Sequence, residues 1–304
     1  MLISIRHQTR YTYDAPAKYA IQTLRLTPPS FVGQTVKEWS VKAPCIENAV
    51  HFTDSFGNAA SLVTCNLPHT EIEIVAQGLV ETTDCAGVVK GLNDPSPNRI
   101  YLRQTPATTP DDAIRDLAAS TKADTILARL HALMDAIRER VEYETGSTSQ
   151  LTPAAVVLTQ GKGVCQDHAH VFIAAVRSLG IPARYVNGYF LSGAEGPEAA
   201  HHAWAEAYVD HLGWVGFDVA NLVCPDDRFV RLATGLDSAS ASPIRGSRPI
   251  PSGTASVKEH LTVHVEVIDQ SAKQSQSQSQ STAGQQQQQQ QQSTPDAPKD
   301  APST

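Results

Sequence analysis

The sequence predicts an α+β protein, and three observations carry that prediction. Short β-type runs separated by turn residues fill roughly the first hundred positions; from about residue 106 the apolar spacing becomes helical; and strand signals return after residue 183. The expected organisation is a β-rich N-terminal module over 1–100, a core of helices packed on an antiparallel sheet over 101–268, and a disordered Gln/Ser-rich tail over 269–304.

The N-terminal strands are expected at Ser4 to Tyr13, ended by Asp14-Ala15-Pro16, then at Thr23 to Thr27, Thr35 to Val41, Ala49 to Thr53, Ala60 to Asn66 and Thr70 to Glu81. Asp54-Ser55-Phe56-Gly57-Asn58 reads as a hairpin turn. Strands at this spacing suggest a β-sandwich-like module. Thr109-Pro110-Asp111-Asp112 offers an N-cap, a proline at the first helical position and acids in the first turn. Ile126, Leu127, Leu130, Leu133, Met134, Ile137 and Val141 follow helical spacing. Thr152-Pro153 opens a short helix that Gly161 ends. The next begins at Cys165, buries Val171, Phe172, Ala175, Val176 and Leu179, and stops at Gly180-Ile181-Pro182. Strands follow at Ala183 to Leu191, Ala203 to Val209, Trp214 to Asp218 and Leu261 to Ile268. The Ser-Gln repeats and Gln285 to Gln292 have nothing with which to bury a core, hence the expectation of disorder.

Composition narrows the function classes. A chain of 304 residues, 41% apolar and 18% charged, can bury a core without disulfides or metal. The net charge of −7 with scattered Lys and Arg argues against a phosphate-binding face, so no nucleic-acid partner is expected. The start, Met1-Leu2-Ile3-Ser4-Ile5-Arg6-His7, does not read as a secretory leader, and no apolar run approaches the ~20 residues of a membrane span. The five cysteines (Cys45, Cys65, Cys85, Cys165, Cys224) are odd in number and far apart. They are read as free thiols in a reducing cytoplasm.

One motif carries chemistry. Gly161-Lys162-Gly163-Val164-Cys165 stands immediately before a predicted helix. The free N–H groups and dipole of a helix N-terminus favour a thiolate, and Lys162 adds positive charge, against the negative charge of Asp167. His202 stands at the start of one strand and Asp218 at the end of the next, with a short turn near Asp210 to Gly213 between them. Antiparallel pairing brings these two to one edge of the sheet, where a helix packed on it can aim Cys165 at the imidazole. Thiolate, imidazole and orienting carboxylate form a nucleophilic triad. Strand alternation lets only one of His201 and His202 meet Cys165 and does not say which. His168 and His170, at i and i+2, lie on different faces of their helix, so no shared metal is expected. Trp204 and Glu206 are read as structural, the latter satisfying backbone or arginine groups.

Gly163-Val164-Cys165-Gln166-Asp167-His168-Ala169, Arg177-Ser178-Leu179-Gly180-Ile181-Pro182-Ala183-Arg184-Tyr185-Val186-Asn187-Gly188-Tyr189, His202-Ala203-Trp204-Ala205-Glu206 and Gly213-Trp214-Val215-Gly216-Phe217-Asp218 resemble, in this order, the core of bacterial transglutaminase-like proteins. Leu24-Arg25-Leu26-Thr27-Pro28, Gln34 and Asp54-Ser55-Phe56-Gly57-Asn58 resemble the β-rich N-terminal module paired with that core. The resemblance implies a papain-like/transglutaminase core and selects His202 over its neighbour, giving a triad of Cys165, His202 and Asp218 with no cofactor and no metal. It implies attack on a peptide, isopeptide or γ-glutamyl-type amide through a thioester, resolved by water in a cysteine peptidase or amidase. Transamidation by an amine, as in a transglutaminase, and a non-catalytic binding module are the alternatives. The partner is then a peptide or protein amide substrate, with neither nucleic acid nor membrane. An oxyanion is expected at the Cys165 backbone N–H, with Gln166 or a group of the N-terminal module as second donor. The chain departs from the family in two places. Asp218-Val219-Ala220-Asn221 replaces a run in which Pro-Thr-Asn follows the aspartate, and Leu236 and Ser240 stand where an arginine and a second aspartate are expected.

Overall fold

The protein was analysed as a computed structural model that describes residues 1–191, 201–247 and 257–268. The tail expected to be disordered, 269–304, lies outside the described residues. The N-terminal region contributes β1 (Leu2–Ala17), β2 (Ala20–Leu24), β3 (Gln34–Lys42), β4 (Val50–Thr53), β5 (Ala59–Cys65) and β6 (His69–Thr82). β7 (Val88–Val89) follows, then α1 (Asp112–Ser120), α2 (Ile126–Arg140), β8 (Glu142–Tyr143), α3 (Ala154–Gln160), β9 (Lys162–Gly163) and α4 (Cys165–Ser178). The remainder is β10 (Ala183–Phe190), β11 (His201–Val209), β12 (Gly213–Phe217), β13 (Phe229–Gly235), β14 (Ile244–Ser247) and β15 (Val257–Val267).

Sequence position and packing do not run in parallel. The N-terminal strands form two sheets, ordered β15-β1-β6-β3 and β14-β2-β5-β4, so the two last strands return to flank the first two. The core sheet is ordered β13-β10-β11-β12-β7 and recruits β7 from before the helices. β1 buries Ile3, Ile5, His7 and Thr9 at period two. Ile3, Ile5, Ile72 and Ile74 meet Leu24 and Val63 of the second sheet, and Tyr189, Val230 and Leu232 of the core sheet join the same cluster. β1 also runs past the expected stop at Pro16. Its pairing with β6 breaks between Thr12 and Ala17, a bulge that places the proline, which has no N–H, where no ladder bond is needed.

The core forms around α4. Its apolar side chains lie against β11, whose inward residues Ala203, Ala205 and Ala207 are small enough to let the helix approach. Phe172 stacks on Phe217 with ring centroids 5.1 Å apart, a fully buried aromatic contributing about 1.5–3 kcal/mol. α1, α2 and α3 cover the remaining sides. The cap of α1 differs from expectation. Asp111, not Thr109, is the N-cap, its carboxylate accepting the Ile114 N–H at 2.9 Å, because a carboxylate satisfies a free helix N–H more strongly than a hydroxyl does.

β13 is the outer edge of the core sheet, and side chains of the N-terminal region close it. The Gln34 amide donates to the Arg231 carbonyl at 2.9 Å and accepts the Arg231 N–H at 2.7 Å. The Asn58 amide does the same for Thr234, at 2.8 Å in both directions. Each primary amide thus imitates a neighbouring strand's peptide group. Asn58 is fixed by Asp54, whose carboxylate accepts its side-chain N–H at 3.0 Å and pairs with Arg25 at 2.7 Å. Asn58→Ala leaves a buried N–H and a buried C=O of β13 without partners. A loss of about 2–4 kcal/mol is expected in urea unfolding, at unchanged denaturant slope.

Candidate active site

Cys165 is the first residue of α4, entered through the extended Val164. Asp167 is buried in the first turn. Its Oδ2 accepts the Val164 N–H at 2.8 Å and the Thr148 hydroxyl at 2.6 Å. The carboxylate therefore pins the entry to the helix rather than facing the thiol. A Cβ at Gly163 would lie 2.7 Å from the Asp167 Cβ, so the glycine two residues before Cys165 makes room for this cap. Lys162, expected to support a thiolate, instead pairs with Glu144 at 2.6 Å on the surface. Its charge is neutralised there, a correction to the sequence reading.

His202 and Asp218 come together as the strand pairing requires. β11 and β12 pair with Ala205 opposite Phe217, which sets Asp218 diagonally across from His202. His202 Nε2–H donates to Asp218 Oδ2 at 2.7 Å. With Nε2 so engaged, Nδ1 is the nitrogen left for the neighbouring Cys165. The ring is buried against Phe190, Trp204 and Phe229. Burial opposes a charge on His202, but its hydrogen bonds to Asp218 and Cys165 and their negative charges outweigh it and raise the pKa to about 10. His201 is different. Burial and the adjacent His202 lower its pKa to about 4, and its ring lies against His7 and Tyr189 instead.

Two partners of this cluster were not anticipated. Asn221 donates from Nδ2 to Asp218 Oδ2 at 2.6 Å. The altered residues Val219 and Ala220 thus leave in place an amide that orients the carboxylate. The second is Tyr143. β8 pairs in parallel with β9, Tyr143 opposite Gly163, which sets the phenol beside Cys165. Burial, then the neighbouring Cys165 and Asp218, push the Tyr143 hydroxyl up to about 12, which keeps it a neutral donor. A two-residue strand has no periodicity to detect, so no local signal marked this tyrosine. Gln166 is turned elsewhere, its Nε2 donating to the Gln150 carbonyl at 3.4 Å.

The loop carrying Leu236 and Ser240 is held through its backbone. The Leu236 carbonyl accepts from Arg177 at 2.8 Å, and the Ser238 N–H donates to His170 Nε2 at 3.1 Å. With Gln150, Gln166, Asn187 and His201 it lines a cavity of about 200 Å³ beside the first turn of α4. Glu206 lies beneath the sheet, clasped by Arg184 at 2.6 Å and Arg231 at 3.0 Å. Burial disfavours its charge, and the two guanidinium groups overcome that and lower its pKa.

Residues 114–219 match the family model described as the transglutaminase-like superfamily, and residues 3–81 match the bacterial transglutaminase-like N-terminal region. The chain carries a transglutaminase-like core and, before it, a bacterial transglutaminase-like N-terminal region. It is 27% identical over 262 residues to an uncharacterized protein of Mycobacterium leprae (strain TN), covering 79% of this chain and 90% of that one. An uncharacterized protein of Mycobacterium tuberculosis is 27% identical over 272 residues, covering 80% and 86%. Among solved structures, a candidate cysteine protease from Cytophaga hutchinsonii superposes with a TM-score of 0.67 at 26% identity, over 88% of this chain and 92% of that one. The fold of this transglutaminase-like protein is therefore a papain-like α+β core behind a β-rich N-terminal region. Among the described residues no helix is long and apolar enough to cross a membrane.

A histidine held at about 10 in the fold against 6.5 in the unfolded chain contributes stability that is complete below pH 6.5 and lost as pH rises toward 10. The difference in urea midpoint between wild type and Asp218→Asn is therefore expected to be largest below pH 6.5 and to shrink between pH 7 and 10. A difference that does not vary with pH would contradict this electrostatic account.

Proposed function

We propose that this protein is a thiol-dependent acyl-transfer enzyme acting on peptide, isopeptide or γ-glutamyl-type amides, with water as the acyl acceptor. The observation that carries the reading is Cys165 at a helix N-terminus beside His202, whose imidazole is held by the buried Asp218 carboxylate. In the reaction Cys165 attacks the amide carbonyl carbon. His202 carries the proton and delivers it to the departing nitrogen, and the amine leaves as the thioester forms. Water, deprotonated by His202, then attacks the thioester and the Cys165 thiol is restored. Asp218, itself held by Asn221, keeps Nδ1 of the imidazole turned to the sulfur.

The oxyanion of each tetrahedral intermediate lies between two donors, the Cys165 backbone N–H and the Tyr143 hydroxyl. The Tyr143 phenol neighbours Cys165 at the start of α4, where a substrate oxygen can meet both donors. The likeness to the Cytophaga hutchinsonii protein supports hydrolysis over transamidation.

Trapping decides the reading. Incubation with acyl-peptide libraries is expected to release amine and leave an acyl group on Cys165, detected by mass spectrometry, while Cys165→Ala gives neither. Equal release by both proteins would end the proposal. With a primary amine added in excess, the hydrolysed acid is expected to remain the main product; a dominant amine conjugate would make the enzyme a transamidase. Tyr143→Phe is expected to lower kcat by about 10²–10³-fold with KM little changed, the signature of a donor that acts on the oxyanion.

A further inference from the structure

Cys45 and Cys65 lie in the N-terminal region, on elements remote in function from the cysteine of α4. Cys65 ends β5 and is buried. Cys45 precedes the short 3-10 turn Ile46–Asn48, and its backbone is left-handed at φ 62°, a conformation that costs a non-glycine residue and is kept where surroundings impose it. Here it delivers the side chain onto Cys65. The two sulfurs lie 2.6 Å apart. Non-bonded heavy atoms rest at about 3.5–4.0 Å, and sulfur is no smaller than carbon. Two separate thiols are pressed well inside that limit.

We infer that Cys45 and Cys65 are a modification site, a dithiol that closes to an intramolecular disulfide when it meets a disulfide oxidant of the glutathione class. In the first step the thiolate of one cysteine attacks a sulfur of glutathione disulfide. The oxidant's S–S bond breaks, and one glutathione leaves as a thiolate and takes up a proton. The second cysteine, its proton lost to solvent, attacks the mixed disulfide and expels the second glutathione, which is protonated in turn. Two cysteine thiols lose two electrons and two protons, and one glutathione disulfide becomes two glutathione thiols.

The position gives the bond a consequence. The loop it closes contains β4 and the turn from Asp54 to Asn58, and Asn58 is the residue whose amide closes the edge of β13. The cross-link therefore staples the segment that clasps the core sheet while leaving Cys165 free. It also changes the reading of the five cysteines, two of which pair, and an oxidising setting becomes the one in which the closed form accumulates. The inference stands independently of the proposed reaction.

The full chain, reduced, desalted and equilibrated with glutathione disulfide, is unfolded in acid, alkylated and weighed. The expected product is lighter than the reduced chain by about two hydrogens and carries three alkyl groups, five cysteines less the two that pair, with a Cys45–Cys65 cross-linked peptide after digestion. The closed form is expected to melt higher than the reduced form by about 5 °C or more. Cys45→Ser and Cys65→Ser should each abolish the internal bond, and Cys165→Ala should keep it. Five alkylated cysteines, glutathione adducts on Cys45 or Cys65 with no internal bond, or a cross-link to any other cysteine would overturn the inference.

Discussion

α4 is buried along almost its whole length, yet Asp167, His168, His170 and Arg177 project from it into the interior. A buried polar group without a partner costs about 1–3 kcal/mol, and more when charged, so each of these side chains must bind something, and what they bind is the surrounding loops. Asp167 takes the Val164 N–H and the Thr148 hydroxyl. The ring nitrogens of His168 lie 2.9 and 3.0 Å from the carbonyls of Val164 and Val141, so its N–H has an acceptor in either tautomer. His170 accepts the Ser238 N–H, and Arg177 reaches the carbonyls of Tyr101, Ala183 and Leu236. The helix that presents Cys165 thus also fixes the segment leading to Tyr143 and the loop that borders the neighbouring cavity. Loss of one such partner would both destabilise the helix and displace a wall of the site.

The same economy governs the reactive cluster. Lys162, three residues before Cys165, is paired with Glu144. What favours charge separation there is the helix N-terminus together with an imidazole whose proton is stabilised by Asp218. The aromatic wall of Phe190, Trp204 and Phe229 works in the opposite sense, since it removes water from His202. The balance favours the charged imidazole because Asp218 lies at hydrogen-bonding distance, where attraction in a poorly solvated site is strong. Asn221 matters for the same reason. Its N–H holds the carboxylate in the orientation that makes the short contact to His202 possible.

Legibility in the sequence followed the range of each signal. The strands of the N-terminal region, the helix opened by Cys165 and the hairpin joining His202 to Asp218 were readable because periodicity, caps and turn residues are local. β13 was not, since Phe229–Gly235 is buried on both faces and lacks the alternation of a half-exposed strand. The return of β14 and β15 to the first sheets is a long-range pairing with no local cause. Tyr143 and the Cys45–Cys65 contact belong to the same class, since each joins segments that only the folded chain brings together. Gln34 and Asn58 occupy a middle position. Their place in a motif was visible, but their work as substitute peptide groups on β13 required the sheet's edge to be seen.

That edge links the N-terminal region to the chemistry. β10 carries Gly188 opposite His202 on one side and pairs with β13 on the other. A Cβ at Gly188 would meet the Val230 carbonyl at 2.3 Å and the Trp204 ring at 2.6 Å, so the three strands are packed without slack where the histidine begins. Movement of β13 would therefore be felt at His202 through β10. The cavity beside α4 is bounded by the core on one side and by His7, Thr9 and Leu261 of the N-terminal sheet on the other. The core sheet and α4 position Cys165, His202 and Asp218, while the cavity beside α4 is walled by both regions. The loop that carries Leu236 and Ser240 borders this cavity through Ser238 and Ala239, so departures there leave Cys165, His202 and Asp218 in place.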